Sequence, residues 1–160
     1  MKKMKKVILM VLLGVMVLGV TACSGGKSTG SGEVSGTLEE IMEKIYSGID
    51  IELPGMMTQE VNAENSEFFL GVNDIKFDEA LASEPMMSSQ AHSVVLLRVS
   101  EGQDVEAIKS RIKENVDGRK WICVGVEENN IITDHIGNLV ILIMDENSKA
   151  IQDSFLSLKE

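Results

Sequence analysis

The chain is short of the residues that staple, stiffen or decorate a fold. Its 160 residues include two cysteines, two prolines, one tryptophan, one tyrosine and four phenylalanines. Two cysteines allow at most one disulfide, so this is not a disulfide-stapled scaffold. The few aromatic rings mostly sit in apolar runs, which argues against a dedicated carbohydrate-binding module built on exposed rings. Catalytic signatures are missing too. There is no Gly-x-Ser-x-Gly elbow between a strand and a helix, no His-Glu-x-x-His, no phosphate-cradling glycine loop and no Cys-x-x-Cys.

What is present begins at the N-terminus. Lys2, Lys3, Lys5 and Lys6 precede a run from Val7 to Ala22 that is apolar except for Gly14, Gly19 and Thr21. This run is shorter than the ~20 residues a helix needs to cross a hydrocarbon core. A positive segment, a short apolar segment and a small-residue cleavage site form the pattern of a signal peptide. The closing Val20-Thr21-Ala22-Cys23 reads as a bacterial lipobox. The Cys23 thiol accepts a diacylglyceryl group, and cleavage follows the small Ala22.

The expected organisation is a lipoprotein signal peptide over 1–22, lipidated Cys23 with a Gly/Ser-rich tether over 23–36, and a single α+β domain over 37–160. One acyl chain holds only marginally at ~0.8 kcal/mol per buried methylene, whereas several keep a protein attached. Ser24 gives no sign of sorting beyond the plasma membrane, so the expected location is the outer face of the bacterial cytoplasmic membrane. A flexible tether of this length reaches ~20 Å.

Basic charge is scarce once the signal peptide is set aside. Without its four lysines, eleven basic side chains face twenty-five acidic ones, a formal charge near −14. Such a surface repels polyanions, which excludes nucleic acid as a natural partner, and disfavours adhesion to anionic headgroups. Lipidation of Cys23 leaves Cys123 alone, so no intramolecular disulfide is expected. Cys123 lies in Lys120-Trp121-Ile122-Cys123-Val124, which reads as a buried strand with the thiol as a small core hydrophobe.

Along the domain, Thr37 and Glu40 form a capping-box pattern before Leu38, Ile41, Met42, Ile45 and Ile49, predicting an amphipathic helix over about 38–47. Leu53-Pro54-Gly55 breaks it, and Met56 to Glu67 mixes loop with a short element. Phe68-Phe69-Leu70 is a short apolar element ending at Gly71. Asp74 is expected to cap a helix carrying Ile75, Phe77, Ala80 and Leu81, limited by Pro85. Ser93 to Val99 reads as a strand, and Asp104 starts a helix with Val105, Ile108, Ile112 and Val116 on one stripe. Trp121–Val126 is expected as a strand, Ile131–Thr133 as a short partner strand, and Leu139–Met144 as the strongest strand. A final helix follows Asn147 with Ala150, Ile151, Phe155 and Leu158 inward. The near-continuous apolar strands call for covering layers. The fold class is therefore α+β: a small twisted β-sheet with helices packed against it, a split βαβ-like sandwich.

These residues carry a family likeness. The lipobox, tether and capped helix are followed by Phe69-Leu70-Gly71-Val72, Glu84-Pro85-Met86-Met87 and Ala91-His92-Ser93-Val94-Val95-Leu96. A charged helix, Ile136-Gly137-Asn138-Leu139-Val140 and a closing helix complete the order. The chain resembles the small bacterial lipoproteins of the domain of unknown function 4358 family, mostly from Gram-positive anaerobes. Family members often place an acidic pair where this chain has His92 and Ser93. The resemblance implies no activity and carries over no catalytic residue.

Three local constellations invite chemistry. Met86, Met87 and His92, with Met56 and Met57 nearby, offer soft ligands for Cu(I), yet adjacent methionines more often fill irregular cores. His92 and His135 are the only histidines, and with Asp134 and nearby serines they are the material for a hydrolase site. Carboxylate pairs such as Glu39-Glu40, Glu127-Glu128 and Asp145-Glu146 lack the spacing of a calcium loop or facing glycosidase acids, and read as solvated charges. No catalytic, metal or cofactor residue is assigned. The expected function is a monomeric, membrane-anchored, non-catalytic binding or accessory module. Its partner is an envelope protein or peptide, docked at an exposed sheet edge. The alternative is an envelope hydrolase with a site near His92 or His135.

Overall fold

The computed structural model describes residues 32–159; the signal peptide and Cys23 lie outside the described residues. Five strands form one sheet: β1 (Met56–Glu60), β2 (Phe77–Pro85), β3 (Ser93–Val99), β4 (Ile131–Ile136) and β5 (Leu139–Met144). Their order is β1-β2-β3-β5-β4, with every neighbouring pair antiparallel. Since β5 runs against both β3 and β4, those two are parallel to each other with β5 inserted between them. Helix α3 (Val105–Asn115) lies in the connection from β3 to β4. The expected split βαβ unit within an α+β fold is therefore present.

Both faces of the sheet are covered. Val95, Leu97, Val140, Leu142 and Met144 pack with Ile108 and Ile112 of α3 and with Phe69 and Leu70 of α2 (Ser66–Leu70). On the opposite face Val94, Leu96, Ile141 and Ile143 pack with Ile41 and Ile45 of α1 (Leu38–Ser47) and with Ile151 and Phe155 of α4 (Ser148–Leu156). An antiparallel sheet commonly leaves one face to solvent. Here every residue of β5 is buried, which is why the strand reads as an unbroken apolar run.

The helix ends follow local chemistry. Thr37 Oγ1 accepts from the Glu40 N–H at 3.2 Å, and the Glu40 carboxylate accepts from the Thr37 N–H at 3.1 Å, completing the capping box. Asp104 caps α3 by accepting from the Ala107 N–H at 3.0 Å. Helices α1 and α4 meet closely, where the Ser154 hydroxyl donates to the Ile45 carbonyl at 2.7 Å. In α4, Ile151 and Phe155 are inward as expected, whereas Ala150 is exposed.

Packing reaches ahead of residue 37. Val34 is buried in the core, and the Arg98 guanidinium donates to the Val34 carbonyl at 3.1 Å and to the Gly36 carbonyl at 2.7 Å. The Gly32 carbonyl lies against Gly137 in the β4–β5 turn. The described chain therefore enters the domain at the hairpin end of the sheet.

Two expected elements are corrected. The helix over Ile75–Leu81 is instead strand β2, and Asp74 pairs with Arg111 rather than capping a helix. Pairing of Ala80, Leu81 and Ala82 with Leu97, Leu96 and Val95 overrides the helix preference of Glu79-Ala80-Leu81-Ala82. The strand expected over Trp121–Val126 is irregular chain. β4 already occupies that edge of the sheet, so this segment crosses outside it, with only Trp121 buried. Ile122 is 65% exposed, and Cys123, expected in the core, is exposed with φ 62°.

Gly71 closes α2 at φ 71°, and a Cβ there would lie 2.3 Å from the Asn115 carbonyl carbon. Gly102 has φ 81° and open space around it. Gly102→Ala is expected to cost about 1 kcal/mol of backbone strain. Gly71→Ala adds a backbone collision and is expected to cost distinctly more, as measured by urea unfolding of the two variants.

Candidate functional site

The end of the sheet opposite the hairpin turn gathers the chemistry. Pro85, Ser93, Ile131 and Met144 end or begin their strands there. Two buried polar clusters flank this end, one on each face.

On the α1/α4 face, His92 is 1% exposed. Its Nδ1 lies 2.7 Å from Asp145 Oδ2 and its Nε2 lies 3.0 Å from the Tyr46 hydroxyl. A carboxylate on Nδ1 assigns the proton to that nitrogen, so the Tyr46 O–H donates to Nε2. The Asn147 N–H donates to Asp145 Oδ1 at 2.6 Å. Burial pushes the Asp145 carboxyl up. The hydrogen bonds from His92 and Asn147 outweigh it and hold the carboxyl below its ordinary value. Burial raises the Tyr46 phenol well above its ordinary value, opposed by Ser83 and aided by the Asp145 and Glu84 carboxylates. This tyrosine is a neutral donor and no nucleophile. The triad ties α1, the start of β3 and the β5–α4 turn together, and both imidazole nitrogens are taken.

On the α2/α3 face, Lys120 Nζ donates to Glu84 Oε1 at 2.8 Å and to Ser93 Oγ at 3.1 Å. The Ser93 hydroxyl in turn donates to Glu84. The same ammonium sits 5.0 Å, 5.1 Å and 5.4 Å from the ring centroids of Phe68, Phe69 and Trp121, within cation–π range. Burial lowers the Lys120 pKa, opposed by the Glu84 charge. Sequence reasoning missed this cluster because its members lie far apart along the chain. The only trace is a lysine set against a tryptophan inside an apolar run.

The constellations weighed from the sequence are not assembled. His135 is on β4, where its Nδ1 lies 3.1 Å from Lys109 Nζ and 3.6 Å from Glu106. Asp134 points to the other face and accepts from Gln152 Nε2 at 2.6 Å. His135 pairs with Val140 near the hairpin, while His92 precedes β3 at the other end of the sheet, so the two histidines do not converge. Met86 and Met87 are 70% and 58% exposed, whereas His92 is buried and fully bonded, so these three do not form a soft-metal set. Among the described residues no three His, Cys, Asp or Glu side chains group to hold a metal ion.

Concave surface lies beside these clusters. A cleft of about 620 Å³ is walled by Ile51–Pro54, Val124–Glu127 and Asp145–Asn147, with His92 in its lining. Its rim carries the carboxylates of Glu52, Glu127 and Glu146. A second cleft of about 510 Å³ lies past the other end of β1, lined by Glu39, Glu60, Asp78, Glu79 and Lys76 among others. Ser66 also lines it, with a buried hydroxyl that has no partner among the described residues.

The chain matches no family model, no curated protein and no solved structure.

Two measurements test the buried clusters. A carboxyl held low in the fold stabilises it above the ordinary carboxylate pKa near 4, and that contribution is lost as pH falls through the lower folded value. Asp145→Asn is expected to lose about 2 kcal/mol at neutral pH and to show a shallower acid decline than wild type in urea unfolding. Lys120→Met strands the Glu84 carboxylate and is expected to cost about 3 kcal/mol. The Glu84→Gln/Lys120→Met double variant is expected to recover part of that loss in the same assay.

Proposed function

We propose that this chain is a membrane-anchored extracytoplasmic lipoprotein of the bacterial envelope, carrying a non-catalytic accessory module that docks an envelope protein or peptide. One observation carries the docking part of the reading: strand β1. The other outer strand, β4, is flanked by α3 and α4 and closes with buried Ile131 and Ile136, whereas four of the five β1 residues are exposed. A bare edge offers unpaired N–H and C=O groups to an incoming strand. Supporting it, the imidazole of His92 and the ammonium of Lys120 are tied by neighbouring side chains rather than turned toward a substrate. The lipobox at Cys23 and the lysines before it support the anchoring. The described chain enters at the hairpin end, so a tether there leaves the opposite end of the sheet farthest from its attachment. Among the described residues no helix is long and apolar enough to cross a membrane.

Labelling the source cells with palmitate tests the anchoring. Wild-type chain is expected to carry label and sediment with membranes, and Cys23→Ser to be unlabelled. A photoreactive residue at position 58 in β1 is expected to crosslink an envelope polypeptide in intact cells, and one at exposed position 113 of α3 is not. Unlabelled wild-type protein in the cytosol overturns the reading.

A further inference from the structure

The β1 edge lies in a setting that specifies what it receives. The Met86 N–H donates to the Gly55 carbonyl and the Val61 N–H to the Ala80 carbonyl, both at 2.8–2.9 Å. Alternation along an antiparallel ladder then directs Gly55, Met57, Gln59 and Val61 toward β2, leaving the peptide groups of Met56, Thr58 and Glu60 facing outward. That free edge is about 16 Å long.

Its two sides differ chemically. Met57 pairs with Glu84 and so shares its face, where Lys120 sits over Phe68. Met57, Phe68, Met86, Met87 and Ile122 are five of the six exposed large hydrophobic residues among those described. All five border this corner, since Met86 bonds Gly55 and the Ile122 N–H donates to the Ser88 carbonyl. Exposed apolar side chains gathered in one patch mark an interaction surface, and methionine suits one that adapts. Glu60 and Thr58 lie on the other side of the strand.

Charge is equally one-sided. From Ile45 to Leu97 the chain has nine carboxylates and one basic residue, Lys76. The cleft beside Ile51–Pro54 precedes β1 and carries Glu52, Glu127 and Glu146; the cleft after β1 carries Glu60 and the unpartnered Ser66 hydroxyl. An edge strand thus runs between two acidic concavities.

We infer that β1 accepts an extended polypeptide segment as a sixth strand. Its apolar side chains alternate onto the Met57–Phe68 side, and its basic side chains alternate toward Glu60 and the flanking acidic clefts. This rests on the accessory-module reading and adds the surface and the chemistry of the partner. Main-chain bonds supply affinity in such strand addition, and the alternating side chains supply selectivity.

Fluorescence anisotropy on the full chain in detergent micelles tests it with a labelled alternating Lys–Val nonapeptide. The controls are its Glu–Val counterpart and a copy N-methylated at alternate residues. Saturable binding of the Lys–Val peptide is expected, weakened by salt and by about tenfold or more on N-methylation. Thr58→Pro removes an outward N–H, a position where an edge strand tolerates proline. It is expected to weaken binding as strongly, and Glu60→Lys to weaken it without touching the ladder. Circular dichroism checks that both variants fold, and the N-methylated peptide needs no variant. Equal binding of the Glu–Val peptide, or of N-methylated and unmodified peptides, overturns the inference. A wild-type dimer that Thr58→Pro converts to monomer in sedimentation also overturns it, because a second copy then occupies the edge. If no peptide binds while position 58 still crosslinks an envelope protein, strand addition by a basic segment is overturned and the accessory module stands.

Discussion

The constraint on which the structure rests is that β3 and β5, neighbouring inner strands of the sheet, are buried on both faces. Val94 to Leu97 and Leu139 to Met144 have essentially no exposed surface, and their side chains alternate between two separate cores. At about 1.5–3 kcal/mol for each fully buried aliphatic side chain, neither face can be left bare. The helices that cover them have 10, 5, 11 and 9 residues. Isolated helices shorter than about 12–15 residues are marginal in water, so these depend on the sheet as much as it depends on them.

Double coverage makes any polar group near the sheet costly unless it is paired. At the end away from the hairpin the strands run out of apolar residues, and the chain places His92, Asp145, Glu84 and Lys120 there. Each is satisfied within a few ångströms by groups from other elements. The environments act in opposite directions: hydrogen bonds win over burial at Asp145, and burial wins over the ion pair at Lys120. Asp145 therefore supports the fold as an anion, while the Lys120 ammonium is held at a desolvation cost that Glu84 and three aromatic rings offset only in part. A buried ion pair adds little net stability over an apolar substitute. What this one supplies is position: Lys120 fixes the irregular 116–127 segment across the sheet.

Legibility in the sequence followed the strength of local signals. Helices α1 and α3 have capping residues and an apolar stripe that the structure uses unchanged, and β3, β4 and β5 announced themselves through β-branched runs. The split βαβ arrangement followed from their order. β2 was hidden because Glu79-Ala80-Leu81-Ala82 has helix-forming composition and small inward residues, and only its partners on β3 make it a strand. The Trp121–Val126 run has the composition of a strand, but it forms no ladder with any strand of the sheet. Of the buried clusters, only His92 stood out; Asp145 resembled a surface charge beside Glu146, and nothing local connected Lys120 to Glu84. Lone polar residues in apolar surroundings were the available signal, and their partners come from tertiary structure alone.

The two edges of the sheet show how one chain treats the same hazard in two ways. β4 is shielded by helices on both faces. β1 is kept short and follows Pro54, and the carboxylates around it set identical copies against each other. Short edges and charge are common protections against unwanted pairing. The protection on β1 is selective, however. Like charge opposes a second copy of the same acidic chain but attracts a basic strand, and the methionine-rich corner beside it rewards apolar contact. An edge guarded only by acidic charge is closed to its own kind and open to a partner of the opposite sign.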